Sequence, residues 1–202
     1  METNSTIDFK EAVLAFTERK VFLQPDRLQI KLPDAKEMLD TGFRHFVGDN
    51  YTWLPEYNEI AEWMTDNRGK GLFCMGNCGR GKTTITMQIL PCVLLQCLHR
   101  IVTVCLAREM NRHYDEIMQK RLLVIDDIGR EEPYRLYGNR FNVFPDYVDD
   151  CEIRGKFLIT STNCTLEELT AKYGHRTLSR LKTVTKLVVF AGEDLRQHSI
   201  TD

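Results

Sequence analysis

Gly76-Asn77-Cys78-Gly79-Arg80-Gly81-Lys82-Thr83 is the stretch on which the reading of this chain turns. It fits G-x-x-x-x-G-K-[ST], the P-loop pattern. An apolar run, Leu72 to Met75, precedes it, and Thr84 to Leu90 can open a helix behind it. Strand, glycine loop and helix is the context the motif requires. Glycines at 76, 79 and 81 permit positive φ and a close backbone approach to a ligand. Successive N–H groups, from Gly76 through Asn77, Cys78, Gly79, Arg80 and Gly81 to Thr84, then form a concave anion site, reinforced by the helix N-terminus. Lys82 is expected on the β- and γ-phosphates of ATP and the Thr83 hydroxyl on Mg²⁺.

The flanking chain supports that context. Ile101–Leu106, Leu122–Ile125, Phe157–Thr160 and Lys186–Phe190 read as further strands, and the near-continuous apolar character of 101–106 predicts a buried one. Helical patterns fall between them: 107–120, part of 139–153 with Pro145 inside it, 166–173 and 177–181. Alternation of this kind predicts an α/β fold with a five-stranded parallel sheet covered on both faces. Pro91 predicts a kink or break near Leu90, with helix resuming to His99. Upstream, Phe9, Ala12, Val13 and Phe16 give a helix over 7–20 one apolar face, which either docks on the main domain or binds a partner. Two short apolar pieces, 21–23 and 28–32, flank Pro25-Asp26 and suggest a hairpin. Asp34 is expected to cap a helix that ends at Gly42, and Pro55 to start another with Tyr57, Ile60, Ala61 and Met64 inside. The boundary expected near residue 41 divides a small helix/hairpin appendage, 1–41, from a nucleotide-binding domain, 42–202.

Composition narrows the setting. In 202 residues, 29 acidic side chains stand against 27 basic ones, so total charge implies no nucleic-acid partner and any such surface is local. Seven scattered cysteines, with no C-x-x-C and no export signal, read as reduced thiols in a cytoplasmic protein. No apolar run reaches membrane-spanning length.

The third strand runs straight into Asp126-Asp127, the Walker B arrangement. Asp126 would hold Mg²⁺, and Asp127 stands where a base or water-orienting carboxylate would be, with Glu131 and Glu132 close behind as substitutes or as solvated loop charges. The fourth strand ends Thr160-Ser161-Thr162-Asn163. Thr165-Leu166-Glu167-Glu168 is a capping box, which leaves Asn163 for a sensor role beside the γ-phosphate. In Tyr173-Gly174-His175-Arg176-Thr177-Leu178-Ser179-Arg180-Leu181, Arg180 or Arg176 could serve a neighbouring subunit as an arginine finger. The same residues, with Lys172, His175, Lys182 and Lys186, could instead be a solvated basic face or track a nucleic-acid backbone. Tyr134, Tyr137, Phe141, Phe144 and Tyr147, interleaved with Arg130, Arg135 and Arg140, either pack in a core or stack on single-stranded bases.

The order P-loop, Leu-Leu-Val-Ile-Asp-Asp-Ile-Gly, Thr-Ser-Thr-Asn and Tyr-Gly-x-Arg-x-x-Ser-Arg-Leu resembles the AAA+ ATPases of the DnaC/DnaI helicase-loader and IstB transposition-helper group, over roughly residues 43 to 196. The resemblance implies an AAA+ type P-loop NTPase fold with little or no C-terminal lid. It implies a Mg-dependent ATPase that is oligomeric when active, with Asn163 as sensor and Arg180 as trans finger. It implies partners in replication or mobile-element transfer: single-stranded DNA, a replicative helicase or a transposition protein. It also implies adenine held around Phe43–Phe46 and a closing Gly192-x-x-x-Arg196 segment. Two other functions share the P-loop: a nucleotide-switched adaptor with slow hydrolysis as its timer, and a small-molecule kinase, against which the Asp-Asp-Ile-Gly run and Asn163 argue.

Overall fold

Strand residues alternate between two cores. Leu72, Cys74, Val124 and Ile159 enter one, while Phe73, Leu123, Ile125 and Leu158 enter the other, all nearly or fully buried. This is the period-two signature of a sheet covered on both faces. The structure is a computed structural model and describes residues 8–18, 25–132, 134–136 and 139–195. The first elements are α1 (Phe9–Glu18), α2 (Ala35–Phe46), α3 (Pro55–Thr65) and β1 (Gly71–Gly76). A π-helical turn, Thr84–Ile89, leads into α4 (Leu90–Leu98), followed by β2 (Thr103–Leu106). Next come α5 (Ala107–Met110), a 3-10 turn, α6 (Tyr114–Gln119) and β3 (Leu122–Asp126). A hairpin of β4 (Tyr134–Leu136) and β5 (Asn139–Phe141) precedes α7 (Val143–Arg154), β6 (Phe157–Thr162), α8 (Leu166–Val184) and β7 (Thr185–Phe190).

The main sheet is five-stranded and parallel, in the order β2-β3-β6-β1-β7. Strand β1 is an inner strand between β6 and β7, so the loop leaving its carboxyl end opens beside the end of β6 and, one strand further, that of β3. That is where open α/β sheets bind ligands. One core lies under α2, α3 and α4, the other under α5 to α8.

Several local expectations change. Helix α2 does not stop at Gly42 but runs to Phe46 across residue 41, and Leu39 and Phe43 share the core of β1. Gly42 serves close packing: a Cβ there would meet Ile89 at 2.7 Å. Residues 28–32 are not a strand, because the Asn67 side chain takes the place of a ladder, accepting from Ile30 N–H at 2.8 Å and donating to Leu28 O at 3.0 Å. The other half of the expected hairpin lies outside the described residues. Strand β2 is an edge strand and only half buried, with Val104 exposed and Ile101 just before it 82% exposed. Helix α1 forms, and Phe9, Val13 and Phe16 on its apolar face are exposed.

The expected break near Leu90 is a change of helix type. The turn before Pro91 widens so that Leu90 N–H reaches Ile85 O, and Pro91 then sits in the first turn of α4, where no N–H is needed. Pro145 is accommodated the same way in the first turn of α7. The 107–120 helix is broken into α5, the 3-10 turn and α6. The helices expected over 166–173 and 177–181 form one kinked element, α8, bent at Gly174 with φ 84°. Its capping box is present, with Glu168 N–H donating to Thr165 Oγ1 at 3.2 Å and Thr165 N–H to Glu168 Oε2 at 2.7 Å.

Candidate active site

The loop after β1 turns on glycines that must adopt positive φ: Gly76 (136°), Gly79 (71°) and Gly81 (80°). It walls a cleft of about 730 Å³ at the carboxyl edge of the sheet, and Cys78, Gly79, Lys82, Thr83 and Thr84 line it. Lys82 is buried and curls back over the loop, donating to Gly76 O at 2.8 Å and Asn77 O at 2.6 Å. Burial pulls its pKa below the usual lysine value, while Cys78, Cys74, Asp126 and Asp127 pull it back up. Asn77 does not point into the cleft: its amide donates to Gly192 O at 2.7 Å and ties the loop to the segment after β7. Arg196, the end of the expected closing segment, lies outside the described residues.

Arg80 also differs from a phosphate ligand. Its guanidinium is buried against Glu56 of α3, with Nε and Nη2 donating to Oε1 at 2.9 and 2.6 Å and Nη1 to Glu193 O at 3.3 Å. It buttresses the loop from behind. Glu56, 24 residues upstream on α3, is a partner that the sequence reading did not single out.

The other wall is built by β3 and β6. Asp126, at the end of β3, accepts from Thr83 Oγ1 at 3.1 Å, Thr86 Oγ1 at 3.5 Å and Ser161 Oγ at 2.5 Å. Asp127 adopts φ 59°, the left-handed region, and its N–H donates to Ser161 Oγ at 3.0 Å. Asn163 Nδ2 donates to Asp127 Oδ1 at 3.0 Å, and the buried Asn163 Oδ1 has no partner among the described residues. Asp126, Asp127, Ser161 and Asn163 all face the cleft. Ser161 was missed as an individual residue. Its signal was the period-two alternation that puts 161 and 163 on the same side of the strand end.

An aromatic wall closes the far end. Phe43 stacks on Tyr57 (centroids 4.3 Å apart) and Tyr51 (5.0 Å), and all three line the cleft. Tyr57 OH donates to Arg80 O at 3.2 Å. Tyr51 OH donates to Asp40, and burial, followed by that carboxylate, pushes its pKa up to about 12. Of the expected Phe43–Phe46 segment, Phe43 lines the cleft, whereas Phe46 is exposed and does not.

Glu131 is not a solvated loop charge and does not enter the cleft. It is buried at 3% exposure between Lys172 and Tyr173. Arg180 and Arg176 stand on α8 beyond Gly174, outside this cleft. Arg180 pairs with Asp149, which raises its pKa, and with Glu152 at 2.8 Å; Arg176 meets Asp149 at 3.4 Å. Lys172 donates to Gly129 O and Glu131 O. Much of the basic run is therefore matched by carboxylates and carbonyls of this chain. Phe144 and Tyr147 of the aromatic series are core residues of α7.

The donor set fits a magnesium nucleoside triphosphate. A loop of N–H groups with a lysine suits phosphate, a threonine hydroxyl beside a carboxylate suits Mg²⁺, an aromatic wall suits a base, and the orphaned Asn163 oxygen lacks an outside donor. No family model and no curated protein matches this chain. Among solved structures it is similar to the DnaC helicase loader, with 18% identity, a TM-score of 0.51 and coverage of 71% of this chain and 95% of that one. It is also similar to AMPPCP-bound DnaA from Aquifex aeolicus, with 16% identity, a TM-score of 0.51 and coverage of 75% of this chain and 52% of that one. At such identities the likeness is one of fold, an α/β fold with the five-stranded parallel sheet that the alternation of strands and helices predicted.

Proposed function

We propose that this chain binds ATP in the cleft and hydrolyses it with Mg²⁺, as an oligomeric AAA+ protein acting on DNA or on a DNA-bound partner such as a replicative helicase. The observation that carries the reading is the convergence of Thr83, Ser161 and Asn163 on Asp126 and Asp127 beside the glycine loop. Magnesium held by Thr83 and Asp126 would neutralise charge across the transferring phosphates. Lys82 swings from the loop carbonyls to the β- and γ-phosphates. Asp127 and Asn163 orient the attacking water: the amide fixes the carboxylate, and the amide oxygen has acceptor capacity to spare. Phe43, Tyr51 and Tyr57 hold the base. Arg180 acts on a neighbour's γ-phosphate. The loader reading draws on the motif order and on the fold shared with the DnaC helicase loader.

A second reading, the nucleotide-switched adaptor with hydrolysis as a timer, is favoured by one observation: Arg180 is engaged by Asp149 and Glu152 of its own chain. The test of the site is ATP binding and turnover in Lys82→Ala and Asn163→Ala. The first is expected to lose ATP binding. The second is expected to keep ATP affinity within about twofold and lose about 100-fold in kcat, the magnitude of a misplaced reacting group. Full turnover in Asn163→Ala, or unchanged ATP affinity in Lys82→Ala, overturns the reading.

A further inference from the structure

The loop behind the candidate catalytic carboxylate is held by a buried group that the cleft does not use. Glu131 Oε2 accepts from Gly129 N–H at 2.9 Å, and Oε1 accepts from Tyr173 OH, with Lys172 Nζ at 3.5 Å. The Tyr173 hydroxyl also lies 3.0 Å from Gly129 N, and Lys172 Nζ donates to Gly129 O at 3.0 Å. Gly129 is thus gripped at both its donor and its acceptor. A carboxylate with 1% of its side chain exposed is retained only where it is paired and hydrogen-bonded. Two residues upstream, Asp127 sits at φ 59°, which a non-glycine residue keeps only where its surroundings over-determine it. Ser161 holds that backbone on one side, through Asp127 N–H at 3.0 Å and Ile128 N–H at 2.9 Å. The Gly129 grip holds it on the other.

We propose that Glu131 and Tyr173 are positioning residues for hydrolysis: by clamping Gly129 they hold Asp127 in the conformation in which its carboxylate meets Asn163. This rests on the hydrolytic reading of the cleft. Neither residue lines the cleft, so neither touches substrate. Their effect passes through the backbone from 127 to 129.

The test is the single-turnover rate of ATP hydrolysis and the equilibrium affinity for ATP in the full chain, for Glu131→Gln, Tyr173→Phe, Asp127→Asn and the Asp127→Asn/Glu131→Gln pair. Glutamine keeps the shape but turns a donor toward a donor, and phenylalanine removes only the hydroxyl. Each is expected to slow hydrolysis about tenfold, below the cost of a fully misplaced reacting group, with ATP affinity within about twofold. In the Asp127→Asn background Glu131→Gln should cost nothing more, since coupled residues are non-additive. A hydrolysis rate within twofold of wild type in Tyr173→Phe overturns the proposal even if Glu131→Gln does not fold. So does a full, independent loss from Glu131→Gln on top of Asp127→Asn. If Asp127→Asn itself leaves the rate unchanged, the proposal also falls, and the failure lies in the reading of the cleft.

Discussion

On the proposed reading Lys82, Thr83 and Asp126 supply the chemistry of the site, while Arg80 and Glu56 brace the loop that carries it. Both are nearly buried, and Glu56 Oε2 has no hydrogen-bond partner among the described residues, so this charge pair has little to spare. Removing one partner of a buried pair leaves the other uncompensated, which costs about 3–5 kcal/mol, whereas an apolar pair of similar volume is often neutral. Arg80→Ala should therefore lower unfolding stability by about 3–5 kcal/mol in a urea titration. Arg80→Met combined with Glu56→Leu should recover most of that. Recovery would assign the loss to the orphaned charge; no recovery would mean that the guanidinium contributes through Glu193 O and the packing around it.

At the scale of elements, α7 and α8 form the unit that decides what Arg180 can do. The acidic residues Asp149 and Glu152 of α7 face the half of α8 beyond Gly174, and that half carries Arg176 and Arg180. On the proposed reading of Arg180 as a finger, it must leave Asp149 and Glu152 before it can reach a neighbour's phosphate. Neutralising both, as Asp149→Asn/Glu152→Gln, should lower the protein concentration at half-maximal ATPase activity about threefold. The loss of two charge pairs with partial solvent access is worth little more. A rise in that concentration would show that the carboxylates aim the arginine instead of retaining it. None of this was visible in the basic run around Arg176, because the acids that match it lie on a different helix. The same holds for Arg80 with Glu56 and for Tyr173 with Glu131, 24 and 42 residues apart. By contrast the glycine loop, the Asp126-Asp127 strand end, Asn163 and the capping box are local patterns and could be read directly.

For the whole molecule, the strand order β2-β3-β6-β1-β7 puts the carboxyl ends of β1, β3 and β6 side by side, and the cleft follows from that adjacency. The alternation of apolar strands and helices was enough to predict the sheet. It was not enough to place β2 at an edge, because Ile101 and Val104 are as apolar as core residues and exposure depends on what lies beyond the strand. The β4–β5 hairpin also went unforeseen: among the described residues its two three-residue strands pair with each other, apart from the main sheet. No helix among the described residues is long and apolar enough to cross a membrane. The central claim is that the cleft is completed by Arg180 from a second copy. The direct measurement is steady-state ATPase activity against protein concentration, with and without single-stranded DNA, for wild type and Arg180→Ala. Specific activity that rises with concentration in the wild type, and stays low in Arg180→Ala while ATP binding survives, is the predicted result; DNA stimulation would place the nucleic acid in the cycle. Activity that depends neither on concentration nor on Arg180 would contradict the account and leave a single-chain nucleotide switch.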